Sequence, residues 1–234
     1  MDTDSDRIEY AARHTEILRP PRQSLSTFGT TNIHYYMVTE PVYSDLLKDA
    51  AETVIREGRV ITERPRIVTP YYLSRLEGFS SDASRYFNML LNVHGPDAPG
   101  LFYTYKNEPK EMNIVSEHWK AIVSKLNDEI DKRGDPLASI IKGEDELWDV
   151  SLLKFIYEIT RGSLRNNLSQ LGARGLLDID SSGVTTDARQ RIEELFRQVA
   201  MGLREPRELK SELDRWNVFD EYEDRFLTMF KKKR

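Results

Sequence analysis

The chain has 234 residues, of which 34 are lysine or arginine and 39 are aspartate or glutamate, so its formal net charge is -5. This acidic balance argues against a protein that coats nucleic acid, because phosphate contacts need basic side chains. The sequence has no cysteine, which excludes disulfides, thiolate nucleophiles and cysteine-ligated metal sites.

No stretch approaches the roughly 18 consecutive apolar residues of a membrane-spanning helix. The opening MDTDSDRIEY has neither the basic start nor the apolar core of a signal peptide. We therefore expect a cytoplasmic protein that does not use a membrane.

The first part of the chain predicts an α+β domain. Residues 1–23 are polar and end in two prolines, which favours an extended arm. Two similar runs, TNIHYYMVTEPVY from Thr31 and RVITERPRIVTPYYL from Arg59, are rich in β-branched and aromatic residues and end at proline. They predict two strands of one sheet.

The pattern continues with a helix over residues 80–94 and a hairpin. Its strands are predicted at Leu101–Tyr105 and Met112–Val115, around a polar turn that contains Pro109. Ser116 is the expected N-cap of the next helix, which Gly134 ends. One stripe of that helix is apolar: Trp119, Ile122, Val123, Leu126 and Ile130. The α+β domain thus covers about residues 24–133.

After Pro136 the pattern predicts three successive helices, separated by Gly143 and by the pair Gly162-Ser163. The middle helix is apolar nearly all round, which predicts a buried position. From about Pro206 the sequence is helical again, and residues 204–234 form a predicted helical tail. Its aromatic stripe suits either packing against the preceding domain or pairing with the helix of a second copy.

The stretch DIDSSG, residues 178–183, matches the opening of an EF-hand calcium loop. Its twelfth position, however, is Arg189, a cation where the motif needs a bidentate glutamate. We therefore expect no calcium here, and no other metal or cofactor.

The same region resembles the second half of a winged-helix domain. A helix with Leu168 and Leu171 ends in Arg174-Gly175-Leu176-Leu177, a turn follows at Ser181–Gly183, and Thr186 is the expected N-cap of a helix through Phe196. The resemblance implies a winged-helix-like domain at residues 136–200. In that family the third helix usually lies in the DNA major groove and the wing contacts the backbone.

The resemblance makes the exposed face of the third helix a candidate surface for DNA or a protein partner. Asn166, Ser169 and Gln170 would contact bases, because amide and hydroxyl groups suit base edges. Arg161, Arg165 and Arg174 would hold phosphates. Asp178 and Asp180 place negative charge on the wing, which favours a protein partner instead.

Catalytic motifs are absent from the sequence. The four histidines, His14, His34, His94 and His118, lack metal-binding spacing. Tyrosines on the predicted strands offer either a ligand or partner face or an ordinary amphipathic sheet face; the candidates are Tyr35, Tyr71 and Tyr103.

Together these patterns predict an α+β protein that is a non-enzymatic cytoplasmic regulator or adaptor, acting through its winged-helix-like domain. Its expected partner is a protein, or a second copy through the C-terminal helix, or double-stranded DNA. Two alternatives stay open: a sequence-specific transcriptional regulator with an N-terminal ligand-sensing domain, and an enzyme with an unrecognised N-terminal site.

Overall fold

The computed structural model describes residues 3–43, 51–67, 76–77, 101–216 and 218–230. The chain forms two compact units. The first comprises Met1–Pro65, Leu73–Ala98 and Tyr103–Asn167, and the second comprises Arg66–Tyr72, Pro99–Phe102 and Leu168–Arg234. Helices and strands both contribute substantially, which confirms the predicted α+β class. The predicted helix at 80–94 lies outside the described residues.

The described strands are β1 (Glu16–Arg19), β2 (Thr31–Thr39), β3 (Thr53–Thr62), β4 (Arg66–Ile67), β5 (Leu76–Glu77), β6 (Leu101–Phe102), β7 (Tyr105–Val115) and β8 (Ala138–Lys142). The described helices are α1 (Thr3–Arg13), α2 (Trp119–Arg133), α3 (Trp148–Ala173), α4 (Thr186–Ala200), α5 (Pro206–Arg215) and α6 (Phe219–Thr228).

The first unit is built on a six-stranded mixed sheet with the order β1-β8-β2-β3-β7-β5. The β2–β3, β3–β7 and β1–β8 pairs are antiparallel, whereas β2–β8 and β5–β7 are parallel. The first predicted strand run is confirmed as β2. The second, from Arg59, is confirmed only in part: its first four residues end β3, which begins earlier, at Thr53, whereas Arg66–Ile67 form β4 in a separate two-stranded sheet. The end of this run lies outside the described residues.

Helix α2 covers one face of this sheet. Its predicted stripe is confirmed: Ile122, Leu126 and Ile130 are buried, in one cluster with strand residues such as Tyr36 and Ile140. Gly134 ends the helix at φ 67°, as predicted, but the N-cap is His118 rather than Ser116. The His118 ring accepts a hydrogen bond from the Lys120 N–H at 3.2 Å.

Helix α3 packs on the opposite face of the sheet. Its first residue, Trp148, stacks near the buried Tyr35 ring of β2, with ring centroids 6.5 Å apart. Because β2 is covered on both faces, its residues 35–39 are all buried, and the polar–apolar alternation of a one-sided strand is lost.

The extended arm predicted for residues 1–23 is wrong. These residues form α1 and β1, and the α1 side chains of Ile8, Ala11 and Ala12 are buried. Strand β1 pairs with β8, with Glu16 opposite Lys142. Part of the predicted arm thus forms a strand because its backbone groups hydrogen-bond to the edge of β8.

The hairpin predicted around Pro109 is also wrong, since β7 runs unbroken from Tyr105 to Val115. The register against β3 shifts at this point, where Gly58 lies opposite Pro109 and Glu57 opposite Glu111. A bulge accommodates a proline because the ladder there needs no N–H donor.

The three helices predicted after Pro136 are replaced by one strand and one helix. The segment around Ile140 and Ile141 is β8, whose apolar run reflects burial on both faces. Helix α3 continues through Gly162-Ser163. The Ser163 hydroxyl donates to the Ile159 carbonyl at 2.7 Å and accepts from the Leu25 N–H at 3.0 Å, which accommodates serine inside the helix.

The second unit packs α4, α5 and α6 around an apolar core that includes Ile192, Leu213, Trp216 and Phe226. The predicted aromatic stripe thus packs within this unit, while pairing with a second copy stays a prediction. The expected wing is reduced to a single antiparallel bridge between Ile179 and Thr185.

Gly175 and the N-cap of α4 lie at either end of the segment that was predicted as the wing. Gly175 has φ 65°, as expected of a glycine that ends a helix. The N-cap of α4 is Thr185, one residue before the predicted Thr186. The winged-helix assignment itself stays a prediction, and it now depends on the stretch from Leu168 to Ala200.

The continuity of α3 is testable at Gly162. An added Cβ there meets no atom within 4 Å, so Gly162→Ala should raise the free energy of unfolding by about 0.5–1 kcal/mol through its better helix propensity. Gly134→Ala, at positive φ, should instead lower it by about 1 kcal/mol. Urea unfolding measures both, and a destabilised Gly162→Ala variant would contradict a continuous helix.

Candidate functional site

One concave surface of the first unit is a groove beside the ends of β2 and β8. These strands run parallel, with Val38 opposite Lys142, so both end at the same edge of the sheet. The groove encloses about 660 Å³. It is lined by three segments, namely α1, the residues after β2 and the loop after β8: Asp6, Arg7, Tyr10, Ala11, Glu40, Pro41, Val42, Glu144, Asp145, Glu146 and Leu147.

Five carboxylates and one arginine give the groove an acidic lining. Three of the carboxylates have basic partners: Glu146 with Arg7 at 2.8 Å, Asp145 with Arg56 at 2.8 Å, and Glu40 with Lys142 at 3.5 Å. Asp6 and Glu144 have no ion pair with any residue that the structure describes. The groove therefore carries excess negative charge and favours a positively charged ligand.

The acidic wall after β8 is held by Arg56 of β3. Its guanidinium donates to Asp145 at 2.8 Å and to the Thr39 hydroxyl at 3.0 Å. It also lies over the Trp148 ring, 5.6 Å from the centroid. This anchorage fixes the wall before any ligand arrives, which reduces the entropy lost on binding.

Apolar side chains complete the lining. Tyr10 is 54% exposed and Val42 is 62% exposed, and Pro41 and Leu147 also line the groove. The Tyr10 ring stacks on His14 with centroids 3.8 Å apart, so its orientation is constrained. An aromatic ring beside carboxylates suits a cation with an apolar stem, such as lysine or arginine.

Within the described part of the chain, no group of three or more histidine, aspartate or glutamate side chains is placed to hold a metal ion. His34 lies with its Nδ1 2.6 Å from Asp135 Oδ2. That contact links the start of β2 to the turn after α2, so His34 has a structural partner.

Two of the predicted tyrosine candidates do not form an accessible face. Tyr35 is fully buried, its hydroxyl donates to Asn107 at 3.0 Å, and burial raises its pKa to about 12. Tyr103 is also buried, with its hydroxyl 3.0 Å from the Asn167 amide, and burial raises its pKa to about 12. Covering by α3 removes both from solvent. Tyr71 lies outside the described residues.

The six candidate contact residues are all exposed and all lie on α3 or directly after it: Arg161, Arg165, Asn166, Ser169, Gln170 and Arg174. They belong to one continuous helix rather than to a separate recognition helix after a turn. The neighbouring Asn167 is fully buried. The first three belong to the first unit and the last three to the second.

The EF-hand-like loop contains an internal cation, Arg189. Its guanidinium donates to Asp180 at 2.7 Å, to Glu221 at 2.7 Å and to the Tyr222 hydroxyl at 3.2 Å. The hydrogen bonds from Arg189 lower the pKa of the Asp180 and Glu221 carboxyl groups. The same bonds raise the pKa of Arg189. The residue that breaks the calcium motif thus binds one of the motif's own carboxylates.

Sequence reasoning missed the groove because α1 was interpreted as an extended arm. Two signals were present: the alternating acids of MDTDSD and the run GEDE after the IIK segment. Neither indicates a site alone, since acidic runs are usually solvated. Only the parallel pairing of β2 and β8 brings the two runs to one edge.

Comparison of the chain with protein-family models, with curated proteins and with solved structures finds no match in any of the three. Among the helices described, none has the length and apolar character needed to span a bilayer.

The Arg189 cluster predicts a pH-dependent stability. A carboxyl group whose pKa is lower in the folded than in the unfolded state stabilises the fold when the pH is above its unfolded pKa. This contribution is lost as the pH falls through the folded pKa. Arg189→Gln should therefore lower the melting temperature most near neutral pH, and the difference from the unchanged protein should shrink below about pH 4. Thermal unfolding monitored by circular dichroism measures this difference.

The control is Arg197→Gln on the same helix, which removes an exposed arginine that pairs with Glu194. It should change the melting temperature little at any pH, because exposed pairs contribute little. An Arg189→Gln effect of equal size at acidic and neutral pH would contradict the ionic origin of the stabilisation.

Proposed function

We propose that the protein is a non-enzymatic adaptor or regulator whose first unit binds a basic peptide segment of a partner protein in the acidic groove. The observation that carries this proposal is the groove itself, where five carboxylates and an exposed tyrosine line one concavity. Charge complementarity selects basic partners and accelerates their association.

The groove lies outside the carboxyl ends of two neighbouring parallel strands. In open sheets, ligands generally bind in the crevice at this edge. The volume of about 660 Å³ falls within the usual range of ligand sites, about 300–1,000 Å³. An extended segment with alternating basic and apolar side chains matches the mixed lining.

The experiment uses a fluorescent peptide that alternates lysine and leucine, with a glutamate–leucine peptide as its counterpart. Fluorescence anisotropy should show saturable, salt-sensitive binding of the lysine peptide alone. The double variant Asp6→Asn with Glu144→Gln should weaken binding about tenfold, because it removes the two groove carboxylates that lack ion pairs.

A matched double variant, Glu111→Gln with Asp128→Asn, removes the same charge from exposed positions on β7 and α2. It should bind the lysine peptide as the unchanged protein does. If the lysine peptide does not bind at low salt, or if the two double variants weaken binding equally, the proposed function is wrong.

DNA binding through the exposed side of α3 is a second candidate. It is favoured by Arg161 and Arg165, which are exposed and make no ion pair with other described residues. If they contact phosphates, Arg161→Glu with Arg165→Glu should abolish retardation of duplex DNA in a native gel, because reversed charges repel phosphates.

The matched control is Lys120→Glu with Lys132→Glu on α2, whose lysines are also exposed. It changes the net charge equally and should leave DNA binding in place. Absence of any retardation of DNA by the unchanged protein at low salt removes this second candidate.

A further inference from the structure

The outer edge of strand β7 is open along most of its length. On one side, β7 pairs with β3 from Tyr105 to Val115. On the other side, the strands that the structure describes pair with it only at Tyr105 and Lys106, where β5 lies parallel. Further along β7, the backbone groups that point away from β3 therefore have no described strand as a neighbour. Such an edge is a template for another strand.

The two parts of this open edge differ in their chemistry. The first part contains Pro109, Lys110 and the bulge against β3, and all three are features with which natural edges prevent pairing. The second part, Glu111–Val115, contains none of the three. Two of its side chains are instead apolar and exposed, since Met112 is 59% and Ile114 is 54% exposed. The second part of the edge is thus both unprotected and apolar.

Met112 and Ile114 lie on the same face of the sheet, because side chains two residues apart in a strand point the same way. In the ladder with β3 they lie opposite Arg56 and Val54. A strand added at the open edge would cover part of both apolar side chains while it paired with the backbone. Apolar burial and hydrogen bonding would therefore favour the same contact.

We propose that a second copy of this chain pairs with the edge, so that Glu111–Val115 of the two copies form one antiparallel ladder. The twofold axis of such a dimer is perpendicular to the sheet, so each face of one sheet continues into the same face of the other. Residues directly opposite each other in an antiparallel pair also lie on one face. The axis must therefore pass through a residue position and not between two residues.

Asn113, the middle residue of the segment, is the position that fits the axis. Every residue from Glu111 to Val115 then has a residue opposite, and Met112 of each copy lies opposite Ile114 of the other. An axis at Glu111 would place two carboxylates opposite each other, which is destabilising. An axis at Met112 would place the end of the segment opposite the bulge, and an axis at Ile114 would place its start beyond the end of the strand.

The segment thus complements itself, which favours a second copy over a strand of another protein. The two Glu111 carboxylates lie at opposite ends of the ladder, each opposite Val115, where water still reaches them. None of the residues described as lining the acidic groove belongs to β7. The pairing is therefore independent of the proposed function.

The test is sedimentation equilibrium of the full chain, which should show a reversible dimer. Ile114→Lys should weaken the dimer by at least about tenfold, because it places a charge against Met112 of the other copy and a lysine on an edge opposes pairing. A chain that stays monomeric up to its solubility limit overturns the proposal, and so does an unchanged dimer in Ile114→Lys.

The matched control is Leu203→Lys in the second unit, which adds the same charge at an apolar residue that is 69% exposed. It should dimerise like the unchanged protein. Equal weakening by the two variants would show that the open edge of β7 does not determine the pairing, and would overturn the proposal. Because both positions are exposed, both variants should keep the circular dichroism spectrum of the unchanged protein.

Cysteine cross-linking tests the register, and it decides the question even if Ile114→Lys does not fold. The chain has no cysteine of its own. In Asn113→Cys the two Cα atoms would lie about 4.5–5.5 Å apart across the axis, which suits a disulfide. In Lys110→Cys they would lie about 20 Å apart along the strands. Oxidation should therefore cross-link only Asn113→Cys, and cross-linking of both variants equally, or of neither, overturns the proposed pairing.

Discussion

The first unit depends on the insertion of β8 between β1 and β2. Strand β8 pairs in parallel with β2 and antiparallel with β1, so both of its backbone edges are used. Its side chains Ile140 and Ile141 are fully buried. A buried strand that lost either neighbour would leave unpaired polar backbone groups away from water, which costs several kcal/mol in sum. The N-terminal segment is therefore held by the middle of the chain.

The same insertion determines where the groove forms. Because β8 and β2 end together, the loop from Glu144 to Leu147 faces the residues that follow β2. Strand β1 brings α1 with it, and the Thr15 hydroxyl donates to Ser151 of α3 at 2.8 Å. Arg7 then joins α1 to the loop through Glu146. The walls of the groove thus come from three separate parts of the sequence, connected through one sheet edge.

Polar contacts beneath α3 determine how this helix lies on the sheet. The Tyr35 hydroxyl bonds Asn107, the Tyr105 hydroxyl contacts Thr160, and Asn167 lies against Tyr103. Each contact contributes about 1 kcal/mol net to the stability of the fold. Removing one partner would cost more, because the other polar group would then be buried without a hydrogen bond. In the second unit, Arg189 of α4 stabilises the fold through three hydrogen-bond partners, namely Asp180, Glu221 and Tyr222.

The sequence by itself determined what depends on local chemistry. Periodic apolar residues identified α2, β-branched and aromatic runs identified β2 and β3, and glycines at positive φ marked the helix ends at Gly134 and Gly175. The tertiary structure decided what depends on distant partners. Ile140 and Ile141 form a strand because two strands flank them, and Pro109 stays within β7 because a bulge forms opposite β3. The helix runs through Gly162-Ser163, where the buried Ser163 hydroxyl has partners in Ile159 and the distant Leu25. The groove belongs to this second class, since its charged residues become neighbours only when β2 and β8 pair.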